Sequence, residues 1–97
     1  LLPNPGFYLR QNYPNPFNPV TTIHFSIEDP VAVTSLKVYN LKGQLVRTLI
    51  DAQLAAGDHQ QSWDGMDDAG GPVASGVYLY RLKNGNSITM KKMVLSK

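Results

Sequence analysis

The sequence contains no cysteine, which excludes disulfide staples and thiolate metal sites. A chain without disulfides that works outside the cell must be held together by packing alone. It has no apolar run near the ~18 residues that a membrane-crossing helix needs, so membrane insertion is not expected. A large charge excess is missing too. Nine Lys and Arg face seven Asp and Glu, for a net charge of +2. That is too little for nucleic acid binding, which calls for bases clustered on one face. Neither a signal peptide nor an initiating Met is visible. The chain reads as a processed or excised piece whose targeting signal, if any, lay upstream.

What is present describes one folded domain. Ninety-seven residues with 42% apolar and 16% charged side chains have the opposite balance to a disordered segment. A chain of this size buries one core and roughly 60–70% of its unfolded surface. Five of the seven prolines fall within the first nineteen residues. Pro3, Pro5, Pro14, Pro16 and Pro19 remove backbone donors and push their predecessors towards extended geometry. Residues 1–19 therefore read as an arm from an upstream domain, and residues 20–97 as the folded unit. Phe7, Tyr8, Leu9, Tyr13 and Phe17 are too apolar for a free linker, so part of the arm should lie against an edge or end of the domain.

From Thr21 onwards the apolar residues recur with period two. Thr21, Ile23, Phe25 and Ile27 alternate with polar neighbours, the pattern of a half-buried strand. Val33–Asn40 reads as a second strand, with Leu36 and Val38 inward, and Leu45–Ile50 as its hairpin partner across a turn at Gly43. Asp51–Gly57 is expected to be a connection with at most one helical turn. Gly57–Trp63 is a further strand with His59, Gln61 and Trp63 on one face. The stretch from Asp64 to Gly76, with its glycines and aspartates, is a loop. Val77–Lys83 places Tyr78, Tyr80 and Leu82 on one face. Asn84-Gly85 is the expected centre of a type I′ turn. In the last strand Ile88 and Met90 set one phase, Met93 and Leu95 the other. A β-bulge at Lys91-Lys92 would turn all four inward. Six or seven short strands without a long helix suggest a sandwich or a barrel, and the lack of an obvious ligand-lined interior favours an antiparallel β-sandwich with Trp63 as its core aromatic.

The chemistry-bearing residues point away from catalysis. His24 and His59 lie on different strands, and neither neighbours a nucleophile in a recognisable arrangement. Asp64, Asp67 and Asp68 form a weak calcium candidate, because clustered carboxylates can wrap a hard cation. The EF-hand spacing is missing, however, and Asp and Gly are also what turns require. No glycine-rich phosphate cradle is present, and no cofactor is expected. Tyr39, Tyr78 and Tyr80 could line a carbohydrate-binding face, but no planar exposed trio is apparent. Lys91, Lys92 and Lys97 form the one basic concentration, as expected of a solvated strand edge.

The run from Leu9 to Pro19, Leu-Arg-Gln-Asn-Tyr-Pro-Asn-Pro-Phe-Asn-Pro, together with Thr21–Phe25, resembles the opening of type A sorting domains of type IX secretion. The same pattern opens the immunoglobulin-like domain of the flagellar hook-capping protein. Val38-Tyr39-Asn40 with Gly43, Ala56–His59, Trp63-Asp64-Gly65, Ser75–Tyr78 and Lys91–Leu95 match in order. Met66, Gln61 and Leu79 depart from the pattern, and Met66 removes a basic partner for the aspartates. The resemblance implies an immunoglobulin-like sandwich of about seven strands. It also implies a non-enzymatic sorting signal at the end of an exported protein, reaching the cell surface or medium via the periplasm. Its partners would be outer-membrane secretion components and the upstream cargo domain.

By the same resemblance Gly76, Val77, Tyr78, Lys91, Lys92 and Lys97 are the recognition elements. Asn12, Pro14, Asn15, Pro16, Phe17, Asn18 and Pro19 mark the cargo boundary. Recognition would proceed by shape and by main-chain pairing to the C-terminal strand. Two other readings stay open: a structural sandwich that forms homo-oligomers, its arm lying on a neighbour's sheet edge, and a carbohydrate-binding module.

Overall fold

The structure, a computed structural model, describes residues 6–97; Pro3 and Pro5 of the arm lie outside them. Seven strands follow in order: β1 Tyr8–Leu9, β2 Thr21–Ile27, β3 Val33–Tyr39, β4 Leu45–Gln53, β5 Gly57–Trp63, β6 Gly76–Asn84 and β7 Ser87–Leu95. They form a three-stranded sheet β1-β2-β5 and a four-stranded sheet β4-β3-β6-β7, with every strand pair antiparallel. The expected all-β, immunoglobulin-like sandwich is what the chain adopts.

Alternation decides which face of each strand is inside. Ile23, Phe25 and Ile27 from β2 meet Leu36 and Val38 from β3 and Tyr78, Tyr80 and Leu82 from β6, with Met93 and Leu95 from β7 beside them. Trp63 ends β5 at 1% exposure. Its ring lies edge-on to Tyr78, 5.6 Å between centroids, and 5.7 Å from Phe17. Leu9 and Phe17 bring the proline-rich segment into the same core.

Three local expectations are corrected. The segment after Ile50 does not turn into a connection with a helical turn. Asp51, Ala52 and Gln53 continue β4 by pairing with Ser35, Thr34 and Val33. Partnership along β3 outweighs the helical preference of a few alanines, which is too weak to nucleate a turn alone. Nor does β7 bulge at Lys91-Lys92: its register with β6 is unbroken from Gly76↔Leu95 to Asn84↔Ser87. Met93 and Leu95 are buried, whereas Ile88 and Met90 are 57% and 47% exposed. The irregularities lie instead in the β3–β4 pair, at Leu36/Lys37 and Val38/Tyr39. There they let Val46, Leu49 and Ile50 all pack against the core, which strict alternation would forbid.

The β6–β7 turn is also displaced by one residue. Asn84 and Ser87 are paired, so Gly85 and Asn86 are the central residues. Gly85 has φ +60°, and no non-glycine described residue has positive φ. A glycine with positive φ at the first central position marks a type II′ turn, not the type I′ expected from Asn-Gly. Asn84 is thereby freed for a buried role. Its carboxamide accepts from Asp29 N (3.0 Å) and donates to Asp29 O (2.9 Å) and Thr34 Oγ1 (3.2 Å). It pins the β2–β3 connection to the end of β6.

Candidate functional site

β7 is an edge strand, and an open edge is a template for another chain. One half of this edge is already occupied by the segment before β2. Phe17 N donates to Val94 O (2.9 Å), and Ser96 N donates to Phe17 O (3.0 Å), so that Phe17 pairs in parallel with Leu95. The Asn15 carboxamide oxygen accepts from Val94 N (3.0 Å), and Gln11 Nε2 donates to Lys92 O (2.7 Å). These contacts take up outward-facing backbone groups from Lys92 to Ser96.

A second set of bonds holds the arm in place. Tyr80, fully buried in β6, donates its hydroxyl to Arg10 O (2.8 Å) and accepts from Asn12 N (2.9 Å). Burial pushes the Tyr80 phenol up to about 12, and the bond from the Asn12 backbone opposes this in part. Asn12 is itself 2% exposed. Its Nδ2 donates to Pro14 O (3.2 Å) and Thr21 Oγ1 (3.0 Å), while Thr21 Oγ1 donates to Pro14 O (2.9 Å). Pro14 lends only its carbonyl, and Pro16, Asn18 and Pro19 are exposed.

The residues expected to be recognised fall into two groups. Gly76, Val77 and Tyr78 pair with Leu95, Val94 and Met93, which places them beside the arm-closed end of β7. Gly76 has φ +151°, a conformation that side-chain-bearing residues rarely adopt. Lys97 joins this end, its backbone N donating to Ser75 Oγ (3.0 Å) and its Nζ to Val73 O. Lys92 is exposed on the outer face. Tyr78 is only 7% exposed and donates to Ala74 O (2.6 Å), with burial raising its pKa; it shapes this end from beneath. Lys91 lies on the inward-facing side of β7, opposite Tyr80, and so apart from Lys92.

The aspartate loop guards the opposite edge. Asp68 N donates to Val46 O (3.0 Å), and its carboxylate accepts from Thr48 N (3.0 Å); both acceptor and donor are on edge strand β4. Asp64 accepts from Met66 N (3.0 Å), and Asp67 from Ala69 N (3.0 Å) and Gly71 N (2.9 Å). The three candidate calcium ligands thus turn onto separate backbone amides. No group of three or more His, Asp or Glu side chains among the described residues is arranged to hold a metal ion. Arg47 Nε stands 3.8 Å from Asp68, so β4 supplies the basic partner that Met66 does not.

His24 is exposed on the outer face of β2, while His59 lies on the inner face of β5. His59 bonds Ala55 O (2.7 Å) and stacks on Phe25 at 5.5 Å. Tyr78 and Tyr80 are buried, so the tyrosines named for carbohydrate form no exposed platform. Sequence reasoning missed the hydrogen bonds of Gln11, Asn15 and Tyr80. The one available signal was the recurrence of Asn beside Pro, since carboxamides satisfy backbone groups where prolines leave no amide.

The sequence profile of the FlgD Ig-like domain matches residues 16–87. The chain belongs to that family. No curated protein matches it. Among solved structures, this FlgD Ig-like domain is similar to part of PorZ, an essential bacterial surface component of the type IX secretion system of Porphyromonas gingivalis. The TM-score is 0.61 at 22% identity, over 95% of this chain and 12% of PorZ. It is also similar to part of dimeric latent PorU from Porphyromonas gingivalis, with TM-score 0.68 and 21% identity over 88% of this chain and 9% of PorU. Those likenesses are likenesses of fold, and the chain spans a small fraction of either protein.

Proposed function

We propose that the domain is the C-terminal sorting module of a larger exported bacterial protein, a non-enzymatic element read by the outer-membrane translocon of type IX secretion. The supporting observation is the convergence of Gly76, Val77, the β7 C-terminus and Lys97 on one end of the sandwich, sealed there by the segment that leads in from the cargo. A receptor at this end reads a folded surface and the cargo junction together. The fold shared with a domain of PorZ agrees with this reading. In it, the partners are secretion-system outer-membrane components and the upstream cargo, and the destination is the cell surface or medium by way of the periplasm. Main-chain pairing to β7 beyond Lys92 requires the arm to leave, so shape and side chains carry recognition while the arm is docked.

The test is a secretion assay with residues 1–97 fused behind a periplasmically exported fluorescent reporter, in hosts with and without the translocon. Removing Met93–Lys97 would strip two core side chains, so the informative variant is K92Q/K97Q, which changes mainly exposed charge. Translocon-dependent arrival outside the cell, reduced by K92Q/K97Q, supports the reading. A folded reporter held in the periplasm of a competent host defeats it.

A further inference from the structure

The outer face of the four-stranded sheet carries basic residues that the edge of β7 does not use. Lys37 on β3 stands directly opposite Arg81 on β6, and Ser35 opposite Lys83. A like-charge pair placed directly across two strands is unfavourable, and none of these three cations forms an ion pair with a described carboxylate. Asp51, opposite Ser35 on β4, is the one acid lining the same shallow groove of about 360 Å³. Arg81 has its guanidinium over the Tyr39 ring, 5.1 Å from the centroid. Its Nε is buried and without a hydrogen-bond partner among the described residues. A buried donor left unbonded has a cost, and the usual resolution is a bound water, ion or ligand.

We infer that this groove receives the carboxylates of an acidic, extended polypeptide segment of a partner protein. Charge complementarity selects the anion, and the planar guanidinium favours a two-oxygen acceptor. Spacing selects the extended peptide. Arg81 and Lys83 are two residues apart on one strand, ~6.5–7 Å, and alternate side chains of any extended chain repeat at the same distance. Met90 and Ile88 stand opposite Arg81 and Lys83 on β7 and are exposed. They border the basic residues with exposed apolar surface on the same face. The surface is separate from the arm-closed end, so this inference does not depend on the sorting reading.

The experiment is an NMR titration of the 15N-labelled 97-residue chain at constant ionic strength. The probes are a blocked hexapeptide alternating glutamate and valine, its glutamine counterpart, and sodium sulfate. The glutamate peptide should give saturable shifts at Ser35, Lys37, Arg81 and Lys83, absent with the glutamine peptide. R81Q should weaken binding by roughly tenfold, the scale of a lost charged hydrogen bond. K83Q alters an exposed side chain and serves as a second, fold-neutral variant with a smaller loss. The inference is overturned by any of three results: no saturable shift, equal binding of the two peptides, or sulfate saturating these residues when the glutamate peptide does not.

Discussion

The two halves of β7 solve the edge problem in different ways. From Lys92 to Ser96 the outward backbone groups are taken by Gln11, Asn15 and Phe17. From Ser87 to Met90 no hydrogen bond from the described arm reaches the edge, and Ile88 and Met90 face solvent. Protection of this second half comes from Lys91 next to it, a charged residue on the inward side of an edge strand. The far edge of the same sheet resembles the first half, because Asp68 bonds both Val46 and Thr48 of β4. A satisfied edge is a built part of the fold, whereas an open one is merely discouraged from pairing.

The largest test of that difference is Phe17→Ala. Phe17 is 1% exposed, packs on Trp63, and is the residue whose backbone pairs with β7. Large-to-small substitution of a buried aromatic costs about 3–5 kcal/mol, and urea denaturation should find a loss in that range. Amide exchange should then accelerate at Val94 and Ser96 more than at Ile88 and Met90. A loss below about 1 kcal/mol would mean that the arm covers the domain without belonging to it.

A smaller effect isolates what holds the arm. Tyr80→Phe keeps the ring and removes the hydroxyl bonded to Arg10 and Asn12, at a cost of about 1–2 kcal/mol. The same group carries a pH signature. Its pKa is raised from 10.0 to about 12 in the fold, so between those values the folded state retains a proton that the unfolded state has lost. Stability then falls with rising pH, fully present below about 10 and lost through about 12, with a slope of up to about 1.4 kcal/mol per pH unit. The wild-type minus Tyr80→Phe difference should shrink across that window. A difference that stays flat from pH 9 to 12 would mean that the hydroxyl is not buried.

Legibility follows the range of the interactions involved. β2 and β6 are readable because both are interior strands of their sheets, and the large side chains Ile23, Phe25 and Ile27 of one and Tyr78, Tyr80 and Leu82 of the other hold a single phase. β7 is misread because apolar residues occur in both phases. Its phase is set by the two-residue Gly85-Asn86 turn and the pairing with β6, which send Met93 and Leu95 inward and leave Ile88 and Met90 out. Hydrophobicity alone cannot make that choice. β4 is cut short for a related reason, since Asp51–Gln53 are strand by partnership with β3 and not by their own preference. The arm's docking is the least legible feature. Its bonds link Asn15 to Val94 and Arg10 to Tyr80, across separations of 79 and 70 residues that leave no periodic trace. That Asp68 caps an edge instead of holding a cation is equally a matter of where β4 ends up.

The smallest stability effect is also the one that probes the open half of β7 directly. Ile88→Lys replaces a 57% exposed side chain and removes no core contact, but sets a lysine opposite Lys83, so stability should fall by no more than about 1 kcal/mol. Its effect should appear in association, because an exposed apolar edge is where a second copy would pair and a lysine there opposes it. Sedimentation velocity at high concentration should show the wild-type chain self-associating more than Ile88→Lys. Phe17→Ala should self-associate more than either, its C-terminal half of β7 having been opened as well. That ranking separates the two halves: closure by the arm suppresses pairing at one, and only side-chain chemistry does so at the other. Were Phe17→Ala to remain as monomeric as the wild type, the arm would be a packing element and not an edge guard.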